Sequence, residues 1–188
     1  MTYNFYSVSE SNMKLIKDCP AKLFLLLKDE EGYIDTIDDF FDGNVELKKD
    51  TDLTVIEREG KFVSIFAEGA FLNSLAIALK GYSQAASEAV FLLMRGGHAT
   101  DFEIGWAPLR LIPPSEILEA YESIKDLKSN DILFDVDFEI VAKEAKLSKE
   151  FLDDKDKIID SWSNTLNSLQ LQFDFLVENE FGLTAELL

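Results

Sequence analysis

Gly96-Gly97-His98-Ala99-Thr100-Asp101-Phe102-Glu103-Ile104-Gly105-Trp106-Ala107-Pro108-Leu109-Arg110-Leu111-Ile112-Pro113-Pro114-Ser115-Glu116-Ile117 lies near the middle of a 188-residue chain and decides how the rest is read. It holds the only His, one of three Arg, one of two Trp and three of four Pro. Helical periodicity lies on both sides, so the chain must stop, extend and restart here. The paired Gly ends the preceding helix, Leu109 to Ile112 has strand character, and Pro114 suits the first position of a new helix. Gly105 is expected to take a positive φ or admit a close backbone approach. Pro108 is expected to stiffen the entry into the strand.

Upstream, Ser83 offers an N-cap for a helix reaching Arg95, with Ala86, Ala89, Val90, Leu93 and Met94 on one stripe. A helix from Ala70 to Lys80 directs Phe71, Leu72, Leu75 and Leu79 inward, with Gly81 as its left-handed stop. Before it the period shortens towards two. Leu53-Thr54-Val55-Ile56 and Phe62-Val63-Ser64-Ile65-Phe66 flank Glu57-Arg58-Glu59-Gly60-Lys61, which predicts a hairpin over 53–66. Tyr33, Ile34, Ile37, Phe40 and Phe41 fall on one helical face, and Asp35, Asp38, Asp39 and Asp42 on the other. A helix over Ala21 to Lys28 follows Pro20. Tyr3 to Val8 alternates as a strand, and Ser9 caps a short helix after it.

Downstream, Ile117, Leu118, Tyr121, Ile124 and Leu127 form an apolar stripe. Asp135 or Asp137 starts a helix to about Lys146, and Ser148 or Asp156 starts the last. In that helix Ile159, Trp162, Leu166, Leu169, Phe173 and Leu176 recur at intervals of 3, 4, 3, 4 and 3. The run is too short for a coiled coil, so it packs inside the domain. Gly182 is expected to break this helix, and Leu183 to Leu188 to return as a terminal strand. No repeat or linker interrupts the chain. The expectation is one α+β, helix-rich domain over 1–188 with a small mixed sheet built from the terminal strands and Leu109 to Ile112.

Composition sets the bounds. An apolar content of 47% with 15 Phe supplies a core and argues against disorder. No apolar run reaches the ~18 residues of a membrane span, and the first residues lack a signal peptide's basic flank. Cys19 is alone, which excludes an internal disulfide and fits a cytoplasmic location. Thirty-six acidic residues against 18 basic ones leave a formal charge of −18. That field repels nucleic acid and anionic membrane and hastens encounter with a basic partner. It is equally compatible with plain solubility or with a high-salt habitat.

Candidate chemistry is sparse. His98 and Asp101 are three apart, as a base and its orienting carboxylate would be, yet no second His or Cys joins them as a metal ligand. Cys19 beside Asp18 is a poor nucleophile, because a neighbouring carboxylate disfavours the thiolate. Gly96-Gly97 and Gly105 do not form a phosphate cradle, and the acidic clusters lack the order of a calcium loop. No catalytic residue, metal or cofactor is therefore assigned. Arg110 either clamps an anion or ties the turn to Asp101 or Glu103. Trp106 is either an anchor for a partner or a lid on the core.

The stretch Asp101 to Ile117 resembles the signature of the YfbM-like family (DUF1877), bacterial proteins with a double Gly, a D-x-GYGPAR-like turn and a T-P-E-x-V helix start. Leu72 to Gly81 is similar to that family's apolar helix ending in L-L-x-G. Phe134-Asp135 and the long helix followed by Gly182 match its layout. The resemblance spans about residues 72–188, and residues 1–70 align poorly. Ala107 replaces the second Gly of the turn. Pro113 replaces the capping Thr and so removes a cap worth about 1 kcal/mol. The resemblance implies a mixed α/β fold and no settled activity.

The functional expectation is an acidic cytoplasmic protein-binding domain, not an enzyme. It is an immunity-type inhibitor that covers the active site of a basic toxic effector. The expected contact surface joins Asp35, Asp38, Asp39 and Asp42 to Trp106, while Asp101, Gly105, Pro108 and Arg110 form a structural or ligand-binding turn. The alternatives are a small-ligand binder using Arg110, or an uncharacterised enzyme of the YfbM-like family.

Overall fold

Asn4, Tyr6 and Val8 alternate with Tyr3, Phe5 and Ser7 along β1 (Thr2–Ser9), the first element of a computed structural model that describes residues 2–18, 23, 64–104, 107–128, 136–147 and 154–187. The Oγ of Ser9 accepts the Asn12 N–H at 3.2 Å and so caps α1 (Glu10–Asp18). Strand β2 (Ser64–Glu68) runs directly into α2 (Gly69–Lys80). Ser83 then caps α3 (Gln84–Arg95), its Oγ accepting from the Ala86 N–H at 3.3 Å. Strands β3 (His98–Ile104) and β4 (Ala107–Ile112) lead to α4 (Pro114–Ile124). Helices α5 (Phe138–Glu144) and α6 (Lys155–Glu178) and strand β5 (Phe181–Leu187) complete the order.

The strands form one sheet in the order β2-β1-β5-β4-β3. The two ends of the chain meet in its middle, β1 pairing with β5 from Tyr3↔Leu187 to Ser9↔Phe181. Alternation along the strands then sorts side chains onto two faces. Phe5, Ile112, Leu183 and Ala185 join the larger core with helices α2 to α6. Tyr6, Val8, Leu109 and Leu111 face Met13 and Ile16 of α1 and the fully buried Leu23. Because both faces are covered, β5 is buried continuously from Gly182 to Glu186 rather than at alternate residues.

The α+β, helix-rich class holds. The sheet, expected to be mixed, is antiparallel at every described pairing. Of the predicted hairpin, 53–63 lie outside the described residues, and Ser64 to Phe66 belong to a strand paired with β1. His98 to Ile104, read as part of a turn, is a strand. Two extra residues enter β3 between the pairs Ala99↔Arg110 and Glu103↔Pro108, a bulge that hides the alternation on which a sequence reading depends.

Helix ends account for the remaining differences. Gly81 is not left-handed, since Gly97 alone among the described glycines has a positive φ; α2 stops by returning the Tyr82 and Ser83 N–H groups to Leu79 O at 3.0 and 2.8 Å. Asp154, rather than Ser148 or Asp156, caps α6, accepting from the Lys157 N–H at 3.3 Å. Ile158 is buried at the start of that helix where Ile159 was expected. Gly182 does not break α6, which ends at Asn179 and Glu180, the latter with φ 54°. Gly182 sits inside β5, where a Cβ would run into Ile112 O and the Met13 methyl.

Candidate functional site

The turn after α3 is built from four points of the chain. Gly97 has φ +74°, a left-handed conformation that glycine adopts without strain. A Cβ there would also press on the Leu111 carbonyl, with Leu111 C at 2.8 Å and Ile112 Cα at 3.0 Å. Helix α3 ends with unsatisfied carbonyls and the negative end of its dipole. Arg110, from the adjacent strand β4, meets both needs. Its Nη1 donates to Gly96 O at 2.6 Å and its Nη2 to Leu93 O at 2.7 Å. Burial pulls the guanidinium below its ordinary pKa, partly offset by Tyr3. Arginine nonetheless stays charged at neutral pH, because its ordinary pKa lies far above it.

Glu116 holds the other side of the turn, its Oε2 accepting the Gly97 N–H at 3.0 Å. The reason lies in the sequence of α4. Its N-cap is Pro113, which has no side-chain cap and no N–H, so a glutamate three positions on cannot close the usual capping box. Glu116 reaches across 19 residues to Gly97 instead. Gln170 plays the matching part at the far end of α4, its Nε2 donating to Ile124 O at 2.6 Å and Leu127 O at 2.9 Å. Tyr121 Oη donates to Asp174 Oδ1 at 2.5 Å, and this bond is the main cause that pushes the phenol's pKa up to about 12.

These bonds place the expected site residues. Arg110 is structural: its guanidinium is held by the Gly96 and Leu93 carbonyls, and Asp101 is not among its partners, while the Glu103 side chain lies outside the described residues. His98 and Asp101 are exposed on β3, and no hydrogen bond joins them. Pro108 is exposed on β4, paired in register with Glu103. Gly105, Trp106, Asp35, Asp38, Asp39, Asp42 and Cys19 lie outside the described residues. Among the described residues, no group of three His, Cys, Asp or Glu side chains is placed to hold a metal ion. No described helix is long and apolar enough to cross a membrane.

A cleft of about 660 Å³ opens beside the turn, lined by Thr2, Tyr3, Gly69, Ala70, Asn73, Met94 and Arg95. Helix α2 begins in it with no acidic residue in its first turn. The Arg95 guanidinium lies 3.8 Å from the centroid of the Phe91 ring. The sequence reading missed this cleft, because β1 and α2 meet the end of α3 only in the folded chain.

Comparison with known proteins found no matching family model, no matching curated protein and no matching solved structure. The resemblance to the YfbM-like family rests on the sequence stretches quoted above.

Proposed function

We propose that the protein is an acidic protein-binding domain of the immunity type, which neutralises a basic toxic effector by covering its active site. The observation that carries this reading is the excess of 18 negative charges. A field of that size steers a basic partner and raises association rates by ~10–10³ over a neutral pair. The commitment of Arg110 to Leu93 O and Gly96 O supports it further, since the small-ligand alternative relied on that cation. The proposed surface includes Asp35, Asp38, Asp39 and Asp42, which supply rate and register, and Trp106 as the anchor that slows dissociation.

The test is the association rate with a basic effector captured from the source organism, measured against salt. Between 50 and 500 mM the Debye length shortens from roughly 14 to 4 Å, so a steered rate falls steeply. Replacing Asp35, Asp38, Asp39 and Asp42 by Lys should reproduce that fall with the fold intact. A quadruple variant that associates at the wild-type rate and still protects cells rules out this surface, and failure to capture any effector rules out the immunity reading.

The cleft at the start of α2 favours a second reading, a binder of small anions. The first residues of α2, Asn73 and Arg95 line it, and the first turn of α2 carries no acidic residue. Calorimetry with a panel of phosphorylated and carboxylated metabolites separates the two. Saturable binding that Arg95→Gln abolishes supports the second reading, and no binding removes it.

A further inference from the structure

We propose that the groove between α3 and α4 receives a long cationic side chain, Lys or Arg, from the basic partner. This deepens the protein-binding reading and rests on it. The groove, about 330 Å³, is lined by Ala85, Glu88, Ala89 and Leu92 of α3 and by Glu116, Glu119, Ala120 and Ser123 of α4. On each helix these positions follow the i, i+3, i+4, i+7 spacing of a single face, so two whole faces meet there. Packed helices ordinarily fill such a seam with large side chains. Here Ala89 and Ala120, buried at 4% and 5% exposure, floor it with methyl groups, and the space above them stays open.

The rim decides what fits. Glu88, Glu116 and Glu119 surround the floor, and no Lys or Arg is among the lining residues. Glu88 Oε1 accepts from Gln84 Nε2 at 2.8 Å, and Glu116 Oε2 from the Gly97 N–H at 3.0 Å. The second oxygen of each makes no hydrogen bond among the described residues. A methyl floor beneath carboxylates complements an aliphatic stem carrying a cationic head, which is the chemistry of Lys and Arg. An acidic or neutral occupant would leave three carboxylates facing like charge or nothing.

The probe is an acetylated, amidated (Ala-Arg)₄ peptide titrated into the full-length ¹⁵N-labelled protein at low salt. Amide shifts are expected to concentrate on residues 85–92 and 116–123. Ala85→Leu fills the groove from an exposed position without changing the charge and should weaken the peptide about tenfold, the loss of a well-placed contact. Glu119→Lys should weaken it at least as much, whereas Glu178→Lys, with the same net-charge change on α6, should weaken it less than about twofold. Equal losses for the two Lys variants, or shifts spread over the acidic surface with Ala85→Leu unaffected, overturn the groove and leave the steered-partner reading standing. Absence of any peptide binding also overturns the groove. The partner reading is judged separately, by the salt dependence of association with the effector.

Discussion

Trp162 Nε1 donates to Ser74 Oγ at 3.0 Å in full burial, joining α6 to α2 across 88 residues of sequence. Ser74 passes the bond on, its Oγ donating to Phe71 O at 2.9 Å, and Phe138 of α5 stacks on the indole with centroids 5.5 Å apart. One small hydroxyl thus lets the largest side chain in the core be buried without a polar penalty. Ser74→Ala removes the acceptor and should destabilise the fold by about 1–3 kcal/mol, read as a lower denaturation midpoint at unchanged m-value. An unaltered midpoint would show that this bond contributes nothing.

Arg110 tests the difference between a clamp and a ligand site. Arg110→Met strips Leu93 O and Gly96 O of their donor and should cost about 1.5–3 kcal/mol, the range for bonds to a charged group. Arg110→Lys should recover only part, because one ammonium cannot reproduce a two-pronged contact. Thermal unfolding of the three proteins settles the order. Equal stabilities would return Arg110 to the list of ligand-binding candidates.

Gly97→Ala should destabilise by about 1–3 kcal/mol, from a positive φ compounded by pressure on the Leu111 carbonyl. Glu116→Gln keeps an acceptor for the Gly97 N–H and should cost less than Glu116→Ala. Chemical denaturation of the three variants checks the ranking, and a Gln variant as weak as the Ala variant would mean that the bond to Gly97 is not what Glu116 supplies.

Ser87 is fully buried in α3, and its Oγ finds no hydrogen-bond partner among the described residues. Ser87→Ala should therefore raise stability, by about 1 kcal/mol, through relief of an unpaired hydroxyl and better helix propensity. A lower melting temperature in this variant would reveal a partner for the hydroxyl.

The Tyr121–Asp174 bond predicts an alkaline effect. The folded state holds the phenol's pKa near 12, above its ordinary 10.0, so it favours the protonated form. Its stabilising contribution is complete below pH 10 and is lost as the pH rises from there through 12. Ultraviolet titration should show a late tyrosine ionisation that Tyr121→Phe removes. At the acid end Asp154 acts oppositely. Its carboxyl is held below the ordinary 3.8 by bonds from the Lys157 side chain and backbone, so its contribution is lost as the pH falls below that value.

Sequence alone determined what depends on neighbours in the chain. Ser9 and Ser83 were legible as caps, and Asp137 as one of two candidates beside Asp135, because a cap bonds to an N–H two or three residues away. The spacing of Trp162, Leu166, Leu169, Phe173 and Leu176 marked the buried face of α6 because helical geometry repeats every 3.6 residues. The turn at Gly96-Gly97 announced itself through composition. Tertiary structure alone decided the sheet order, since β1 and β5 are brought together by burial of both sheet faces and not by any local signal. It also decided the role of Arg110. A guanidinium can meet a carboxylate or a carbonyl equally well, and only folding placed the open end of α3 within its reach. Glu116 was diverted to Gly97 in the same way, because Pro113 offers no N–H at the N-cap and the turn lies beside it in space.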